Sequence, residues 1–383
     1  MKNIQLLNKI AKIGTDKLDP AVYNIGSDVA NPEGIMVRSA NMLEMDFNPE
    51  LLAIARAGAG VNNIPLEKCT NEGIVVFNTP GANANGVTEL AICALMLASR
   101  DIVGGIEWVK TLGDDADVAK TVEKGKSQFG GIEIKGKTLG VIGLGAIGGM
   151  VANAAVHLGM NVIGCDPFLS VDAAWHLDPR IIKAATFDEL FTKADYLTLH
   201  VPATKDTKGM VNAASLATMK DGAKIINLAR ADLVVAADVI AALESGKLSA
   251  YVTDFPTPEF IGIKGAVTIP HLGASTEESE DNCAVMAAEQ MADYLENGNI
   301  VNSVNFPALS MPRTGESRVC VLHKNIPNVI ATLSAAISAK GHNIENMASK
   351  SKGDYAYTMF DISGKMCACE MDDLDGVLRV RCI

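Results

Sequence analysis

Positive charge is scarce in this 383-residue chain, and its scarcity excludes two classes of partner. Lysine and arginine number 33 against 45 aspartates and glutamates, which gives a net charge of −12 at pH 7. Nucleic acids and anionic membrane surfaces are bound through clusters of basic side chains. We therefore expect neither nucleic acid nor membrane as a partner, and an anionic substrate has to meet a local group of positive residues.

Long apolar runs and paired cysteines are also lacking. The longest uninterrupted apolar stretch, Leu90 to Ala98, is far shorter than the roughly 20 residues that a membrane-spanning helix needs. Eight cysteines are scattered without a C-x-x-C pair, so neither a disulfide scaffold nor a metal site is predicted. Lys9 and Lys12 interrupt the N-terminal segment, which therefore lacks the continuous apolar region of a secretory signal peptide. The expected location is the reducing cytoplasm.

What the chain does have is apolar content, 48% of its residues, arranged in a regular alternation. Short apolar runs such as Leu139 to Ile142, Asn161 to Cys165 and Ala223 to Leu228 alternate with longer helical patterns between about residues 35 and 300. Near-continuous apolar runs indicate parallel strands that are buried on both faces, and the alternation indicates βαβ units. The predicted fold class is α/β with doubly wound sheets.

Shifts in this pattern predict four segments. Residues 1–97 form the first part of a smaller, flavodoxin-like domain. Residues 98–273 form a Rossmann-type dinucleotide-binding domain. Its first part, over 101–131, is a polar crossing between the two domains that contains one helical stretch. Residues 274–314 contain a return helix, Glu277 to Glu296, and a proline-bearing linker. Residues 315–383 follow a strand, helix, strand, strand, short helix, strand pattern, which predicts a small α+β domain.

Three glycines, Gly143, Gly145 and Gly148, follow a predicted strand and open the helix that starts with Ala146 and Ile147. At this spacing the first glycine makes the turn, the second lets backbone approach a pyrophosphate, and the third allows close packing. Alone, the three glycines also suit an ordinary strand-to-helix turn. Asp166 ends the next strand, where an acid binds the ribose 2′-hydroxyl and repels a 2′-phosphate. The combination predicts NAD, not NADP, as cofactor.

Three later strand ends carry side chains suited to the chemistry of hydroxy acids. Arg230, Asp254 and His271 each follow a predicted strand, at the carboxyl ends where open α/β sheets bind ligands. An arginine holds a carboxylate and polarises a carbonyl, and a histidine transfers a proton. Glu259 would favour the charged imidazole if it contacts His271. Taken singly, an arginine here also suits a surface salt bridge, and the histidine a satisfied core position.

Together, the turn at 143–148 and the segments 227–230, 254–259 and 270–276 resemble the D-isomer-specific 2-hydroxyacid dehydrogenases, from about residue 33 onward. The resemblance implies that Arg230 anchors the substrate carboxylate, that His271 is the general acid and base tuned by Glu259, and that Asp254 contacts the nicotinamide end. It also places further residues near the cofactor, namely His200, Val201, Pro202, Leu228, Ala229, Arg230, His271, Gly273 and Ala274.

Arg38 and Arg56, in the smaller domain, match positions that face the active-site cleft in that family. Guanidinium groups recognise phosphate through paired hydrogen bonds. The resemblance therefore implies NAD-dependent oxidation of 3-phospho-D-glycerate, the entry to serine synthesis. Backbone amides after Arg56 offer a cradle for the carboxylate, in Ala57, Gly58, Ala59 and Gly60. The alternative is that Arg38 pairs with an acid and Arg56 only shapes its loop.

The last segment resembles an ACT domain, a βαββαβ amino-acid sensor, through residues 323–327 and 341–344. In regulated relatives the equivalents of His323, Asn325 and Asn343 hold L-serine between two such domains, so an L-serine effector is expected. A dimerising module without a ligand is the alternative. Asn328 stands where a glycine usually opens the helix, and residues 365–374 are short for a second helix.

Two rival functions stay open. A hydroxypyruvate or glyoxylate reductase of the same family would share every catalytic residue, and only recognition of phosphate separates the two. A non-catalytic, NAD-responsive binding protein would share the fold, although Arg230, Glu259 and His271 argue against it. Family habit implies a homodimer or a homotetramer.

Overall fold

The computed structural model describes residues 1–367, 371 and 373–383. The chain forms two compact units, Met1–Asn83 with Glu277–Ile383, and Ala84–Thr276. The strands, in chain order, are β1 Lys2–Leu7, β2 Tyr23–Gly26, β3 Gly34–Val37, β4 Ala53–Arg56, β5 Val75–Phe77, β6 Thr138–Ile142, β7 Asn161–Cys165, β8 Ile182–Lys183, β9 Tyr196–Leu199, β10 Ala223–Asn227, β11 Leu248–Thr253, β12 Ala266–Thr268, β13 Ser317–Lys324, β14 Ile344–Lys352, β15 Tyr355–Ile362 and β16 Val377–Cys382.

The α-helices, in the same order, are α1 Lys12–Thr15, α2 Leu66–Asn71, α3 Ala84–Ser99, α4 Ile102–Lys110, α5 Val118–Gly125, α6 Ala146–His157, α7 Val171–Trp175, α8 Phe187–Lys193, α9 Ala213–Thr218, α10 Ala236–Glu244, α11 Glu277–Asn297 and α12 Val329–Ala339. Short 3-10 turns lie at Lys126–Phe129, Ala231–Leu233 and Pro258–Phe260. In the part of the chain that the structure describes, no helix combines the length and the apolarity that crossing a membrane requires.

The first unit contains a five-stranded sheet in the order β2-β1-β3-β4-β5, with every neighbouring pair parallel. This is the flavodoxin-like order, in which ligands bind at the carboxyl ends near the point where the strand order reverses. Arg56 ends β4 and Arg38 follows β3, so both arginines lie at that edge. The long helix α11 contributes the buried small residues Ala284 and Ala287 to the core, next to Met36 and Ala55 of the sheet.

The second unit contains a seven-stranded parallel sheet in the order β12-β11-β10-β9-β6-β7-β8. Renumbered from β6, this is the Rossmann order with one strand added, and the order reverses between β6 and β9. One apolar cluster joins α3 and α6 to the sheet, and a second joins α8, α9 and α10 to the opposite face. The predicted α/β class is confirmed, with the glycine turn at the switch point.

The C-terminal sheet is antiparallel, in the order β14-β15-β13-β16, and its inner strands β13 and β15 are buried on both faces, whereas the edge strand β14 is exposed or half-buried. Along β13, Val319 and Val321 share a core with α12, whereas Cys320 and Leu322 share a core with α11. Successive side chains of a strand point to opposite faces, so β13 is apolar on both. The sheet is therefore built into the core of the first unit, where the sequence predicts a small appendage behind a linker.

Other boundaries also differ from the predicted ones. Helix α3 lies in the second unit, although the first predicted segment extends to residue 97. The crossing over 101–131 contains α4 and α5 instead of one helical stretch. The predicted linker carries an isolated bridge between Ile300 and Leu309. The short helix expected over 365–374 falls partly outside the described residues.

Candidate active site

The glycine turn between β6 and α6 leaves a space that a side chain would fill. A Cβ built on Gly145 meets no atom within 4 Å. Gly143 has φ +87°, and a Cβ there would lie 2.6 Å from the carbonyl oxygen of His200, while a Cβ on Gly148 would lie 1.9 Å from that of Gly143. Gly143 and Gly148 thus close the turn, and Gly145 opens the way to the N-terminus of α6, which attracts phosphate. The turn fits the pyrophosphate of a dinucleotide.

Asp166 follows β7 and is tied to the same turn. Its carboxylate accepts hydrogen bonds from the backbone amides of Leu144 (2.9 Å) and Phe168 (2.8 Å). The acid is therefore held at the carboxyl edge of the sheet, one strand from the glycines, where dinucleotide-binding folds place the carboxylate that binds ribose hydroxyls. Its negative charge opposes a 2′-phosphate, so the arrangement fits NAD better than NADP.

His200 and Val201 pack against the turn from the other side of the switch point. The His200 ring nitrogen Nε2 lies 2.9 Å from the hydroxyl of Thr198, and burial lowers the pKa of His200 to about 4. A Cβ on Gly143 would lie 2.8 Å from Val201 Cγ1. The imidazole is therefore neutral at pH 7, and together with the Val201 side chain it forms an uncharged wall beside the predicted cofactor position, with Pro202 next along the chain.

Asn227, at the end of β10, fixes the loop that carries Arg230. Its Oδ1 accepts hydrogen bonds from the amides of Ala229 (3.2 Å) and Arg230 (3.4 Å), and its Nδ2 donates to the Arg230 carbonyl oxygen (2.9 Å). Leu228 is buried beneath this loop, whereas Arg230 is exposed. The sequence pattern does not single out Asn227; its one signal is a polar residue that ends an apolar strand.

Asp254 lies at the carboxyl edge of the sheet and interacts with the two other predicted strand-end residues. It follows β11, its side chain is 1% exposed, and its Oδ1 has no hydrogen-bond partner within the described part of the chain. Burial raises the pKa of Asp254, and the charges of His271 and Arg230, with a hydrogen bond from the Gly273 amide, oppose that rise. The three predicted strand-end residues are thus close enough to interact. The unpaired Oδ1 is an acceptor that the carboxamide of a nicotinamide ring would satisfy.

His271 and Glu259 are not joined to each other. The exposed His271 ring meets the Phe255 ring edge-on, with centroids 4.7 Å apart. Glu259 lies beside Thr257, whose hydroxyl has no hydrogen-bond partner among the described residues, and the proximity of that hydroxyl lowers the pKa of Glu259. Among the residues that are described, no ion pair links Glu259 to His271, and the acid that acts on His271 is Asp254. Phe255 packs against His271 and Thr257 lies beside Glu259, although neither is among the predicted site residues.

In the first unit, Arg38 and Arg56 are close together and already engaged. Arg56 Nε donates to the Arg38 carbonyl oxygen (3.1 Å), and Arg38 Nη2 lies 2.6 Å from Glu280 Oε1. Gly58 has φ +150°, and a Cβ there would lie 2.5 Å from Arg56 Nη1. Both parts of the alternative interpretation are therefore present: Arg38 pairs with an acid, and Arg56 packs against its own loop.

The loop after Arg56 offers fewer free amides than the sequence predicts. The Ala57 amide donates to the Val37 carbonyl oxygen (2.8 Å), which continues the pairing of β3 with β4. The Gly58 amide donates to the Thr79 hydroxyl (2.8 Å). These two amides hold the loop in place, so the proposed carboxylate cradle is restricted to Ala59 and Gly60.

The residues predicted to hold an amino acid lie in or beside the C-terminal sheet. His323 is 2% exposed, and its ring nitrogens contact the Lys324 carbonyl oxygen and the Thr358 hydroxyl, each at 2.8 Å. Asn325 donates to the Gly353 carbonyl oxygen (3.0 Å), and Asn343 is exposed. The His323 imidazole is thus satisfied inside its own sheet, while the two asparagines lie at the surface. Cys369 is outside the described residues, and the described ones contain no group of His, Cys, Asp or Glu side chains that would hold a metal ion.

Comparisons with known proteins agree on one family. A family model for the D-isomer specific 2-hydroxyacid dehydrogenase, NAD binding domain, matches residues 94–275. D-3-phosphoglycerate dehydrogenase 1 of Saccharomyces cerevisiae is 33% identical over 351 residues, which cover 85% of this chain and 70% of the yeast protein. D-3-phosphoglycerate dehydrogenase of Archaeoglobus fulgidus is 35% identical over 295 residues, 74% of this chain but only 53% of the archaeal one.

Solved structures show the same arrangement of elements. The NAD+-bound 3-phosphoglycerate dehydrogenase of Entamoeba histolytica is 28% identical, with a TM-score of 0.62 over 80% of this chain and 99% of that one. D-mandelate dehydrogenase of Rhodotorula graminis, at 22% identity, has a TM-score of 0.69 over 82% of this chain and 99% of that one, which shows the fold alone.

Proposed function

This chain belongs to the D-isomer specific 2-hydroxyacid dehydrogenase family, with its NAD-binding domain, and on this premise we propose that it oxidises 3-phospho-D-glycerate to 3-phosphooxypyruvate. The family that the motifs predict is thereby confirmed. The single observation that carries the assignment of the chemistry is the buried carboxylate of Asp254, on which His271 and Arg230 both act. The substrate is taken from the names of the relatives, of which this chain spans between about half and 70%.

The second unit holds the cofactor. The Gly145 opening and the N-terminus of α6 receive the pyrophosphate, and Asp166 binds the adenosine ribose. When bound, NAD supplies the acceptor for the hydride that leaves C2 of the substrate. The Asp254 Oδ1 acceptor orients the nicotinamide end, and Leu228 to Arg230, Gly273 and Ala274 contribute backbone around it.

Arg230 and His271 act on the substrate. Arg230 holds the carboxylate with charge-assisted hydrogen bonds and keeps C2 in place. His271 takes the proton of the C2 hydroxyl during oxidation, and the Asp254 charge stabilises the imidazolium that forms. Glu259 has its proposed tuning role only where it forms a hydrogen bond with His271. Arg38 and Arg56 bind the phosphate group.

The catalytic assignment is tested by His271→Asn, with Glu259→Gln beside it. We expect His271→Asn to remove most turnover of 3-phosphoglycerate while NADH binding, followed by fluorescence, stays within about twofold, because general acid–base catalysis contributes about 10²- to 10⁴-fold. A smaller effect of Glu259→Gln would agree with the finding that no described ion pair joins Glu259 to His271. An unchanged rate for His271→Asn would rule out His271 as the base.

Hydroxypyruvate or glyoxylate reductase is the second candidate function, and one observation favours it. The ion pair between Arg38 and Glu280 lowers the positive charge available to a phosphate. Turnover of hydroxypyruvate and glyoxylate with NADH, measured beside that of 3-phosphooxypyruvate, separates the two functions.

An L-serine effector at Asn325, Asn343 and His323 is the proposed regulation, and the cytoplasm is the proposed location. His323 would have to give up its contact with Thr358 or Lys324 to bind a ligand. L-serine titrated against turnover tests this role. Inhibition that Asn343→Ala weakens supports the site, and no inhibition leaves the C-terminal sheet with a structural role.

A homodimer is the proposed assembly, supported by the arm formed by α4 and α5. Neither helix has a buried residue, and Ile102, Ile106 and Val109 of α4 are all more than a third exposed. An apolar helix of this kind normally needs a covering surface. Ile106→Asp should shift the mass measured by light scattering toward that of the monomer, whereas Glu107→Gln should leave it unchanged.

A further inference from the structure

Arg38, one of the two arginines proposed to bind phosphate, is already paired with an acid of the same unit. Its Nη2 lies 2.6 Å from Glu280 Oε1, and both side chains are 42% exposed. Glu280 lies in the first turn of α11, whereas Arg38 follows β3. A contact this short between exposed groups is an ion pair that an incoming anion can reach and replace.

The position of the second arginine, Arg56, depends on a hydrogen bond to Arg38. Arg56 Nε holds the Arg38 carbonyl oxygen at 3.1 Å, and Gly58 brings the loop backbone against the Arg56 guanidinium. Burial lowers the pKa of Arg56, and the positive charge of Arg38 adds to this effect. The two guanidiniums are thus near enough to repel each other. Glu280 offsets that repulsion, and it leaves the group with one net positive charge in place of two.

Resting on the proposed function, we propose that Glu280 is a specificity-determining residue that acts as the internal counter-anion of the Arg38–Arg56 pair. A phosphorylated substrate has to displace the Glu280 carboxylate from Arg38, whereas an unphosphorylated hydroxy acid leaves that ion pair in place. Glu280 therefore weakens the binding of phosphate-bearing substrates selectively and has no part in hydride or proton transfer.

The size of the effect follows from two contributions. Loss of an exposed ion pair changes a binding constant up to about fivefold. At roughly 8 Å in water the repulsion between a remaining Glu280 carboxylate and a phosphate dianion is about 1 kcal/mol, and physiological salt reduces it to a factor of about two. Together they predict that Glu280→Gln lowers the KM for 3-phosphoglycerate about tenfold, leaves kcat within about twofold, and leaves the KM for D-glycerate unchanged.

Glu278→Gln is the matched control. Glu278 lies in the same first turn of α11, is exposed, and is not paired with Arg38 within the described part of the chain. Its loss changes the net charge and the helix-dipole interaction as much as the loss of Glu280. If these glutamates only stabilised the helix N-terminus, both variants would change KM and kcat to the same extent, and for both substrates. Glu280→Ser serves as a second variant, and urea unfolding checks that each protein is folded.

A binding measurement separates this inference from the proposed function. Inorganic phosphate, titrated into the full-length protein by calorimetry, should bind about tenfold more tightly to Glu280→Gln than to the wild type or Glu278→Gln. Tighter phosphate binding without any turnover of 3-phosphoglycerate would keep the role of Glu280 and overturn the proposed function. Turnover of 3-phosphoglycerate with an unchanged KM and unchanged phosphate affinity would overturn the role of Glu280.

Discussion

Replacing Gly145 by alanine tests where the cofactor lies without disturbing the fold. Gly145 has φ −66° and ψ −161°, a conformation open to alanine, and its Cβ would meet no atom within 4 Å. Removing glycine flexibility from the unfolded chain stabilises by about 0.4–1 kcal/mol. Alanine in place of glycine as the residue before a helix costs a similar amount. The free energy of unfolding should therefore change by less than about 1 kcal/mol.

The same methyl group occupies the space assigned to the pyrophosphate. Forcing one extra methyl into a well-packed contact costs about 1–3 kcal/mol, which corresponds to about a 5- to 150-fold weaker Kd for NADH. Gly145→Val should weaken binding further. Fluorescence titration with NADH measures the affinity, and guanidinium unfolding measures the stability.

Substitutions at two other glycines make the test specific. In Gly148→Ala the new Cβ would lie 1.9 Å from the Gly143 carbonyl oxygen, so this variant should lose stability as well as cofactor binding. Gly113→Ala adds a methyl group at an equally open position away from the turn and should change neither quantity. Wild-type affinity for NADH in both Gly145→Ala and Gly145→Val would refute the placement of the pyrophosphate.

Three further predictions follow from buried groups. Arg318 and Asp361 form an ion pair that is 0% exposed. Removing either charge should lower the free energy of unfolding in urea by about 3–5 kcal/mol, while Arg318→Met combined with Asp361→Leu should recover most of the loss. Equal losses in the single and double variants would contradict this. Burial lowers the pKa of His200 from 6.5 to about 4 in the folded protein. As the pH falls, the unfolded chain therefore takes up this proton before the folded protein does, and the free energy of unfolding decreases between about pH 6.5 and about pH 4. His200→Gln should flatten that part of the stability profile, and an unchanged profile would show that His200 is not its source. Removing residues 312–383 would uncover the core that Cys320 and Leu322 share with α11, so the truncated protein should aggregate or unfold at a lower urea concentration. Unfolding of the first unit at the wild-type urea concentration would show instead that the C-terminal segment is a separate appendage.

The sequence predicts the parallel strands well because burial on both faces leaves a continuous apolar run. Asn161–Cys165 has the predicted ends. The residues that end such strands, among them Gly143, Asp166 and Arg230, could be located for the same reason. Strand β2, Tyr23–Gly26, carries no such run because only its first residue is buried, and it was not predicted.

The contacts between distant segments could not be predicted in the same way. The pairing of Glu280 with Arg38, and the separation of Glu259 from His271, depend on which side chains meet in three dimensions. The burial of the C-terminal sheet did leave a signal in the sequence: β13 and β15 are apolar at consecutive positions, as expected of strands covered on both faces. That continuity indicates a sheet inside a larger core and not a separate appendage.

We propose that this dehydrogenase acts on a phosphorylated hydroxy acid. Comparison of kcat/KM for 3-phospho-D-glycerate, D-glycerate and D-lactate with NAD, by NADH absorbance, measures the preference for phosphate. A charge-assisted hydrogen bond to Arg38 or Arg56 is worth about 1.5–3 kcal/mol, so the phosphorylated acid should be preferred by at least about tenfold. Equal or faster turnover of an unphosphorylated acid would contradict the claim.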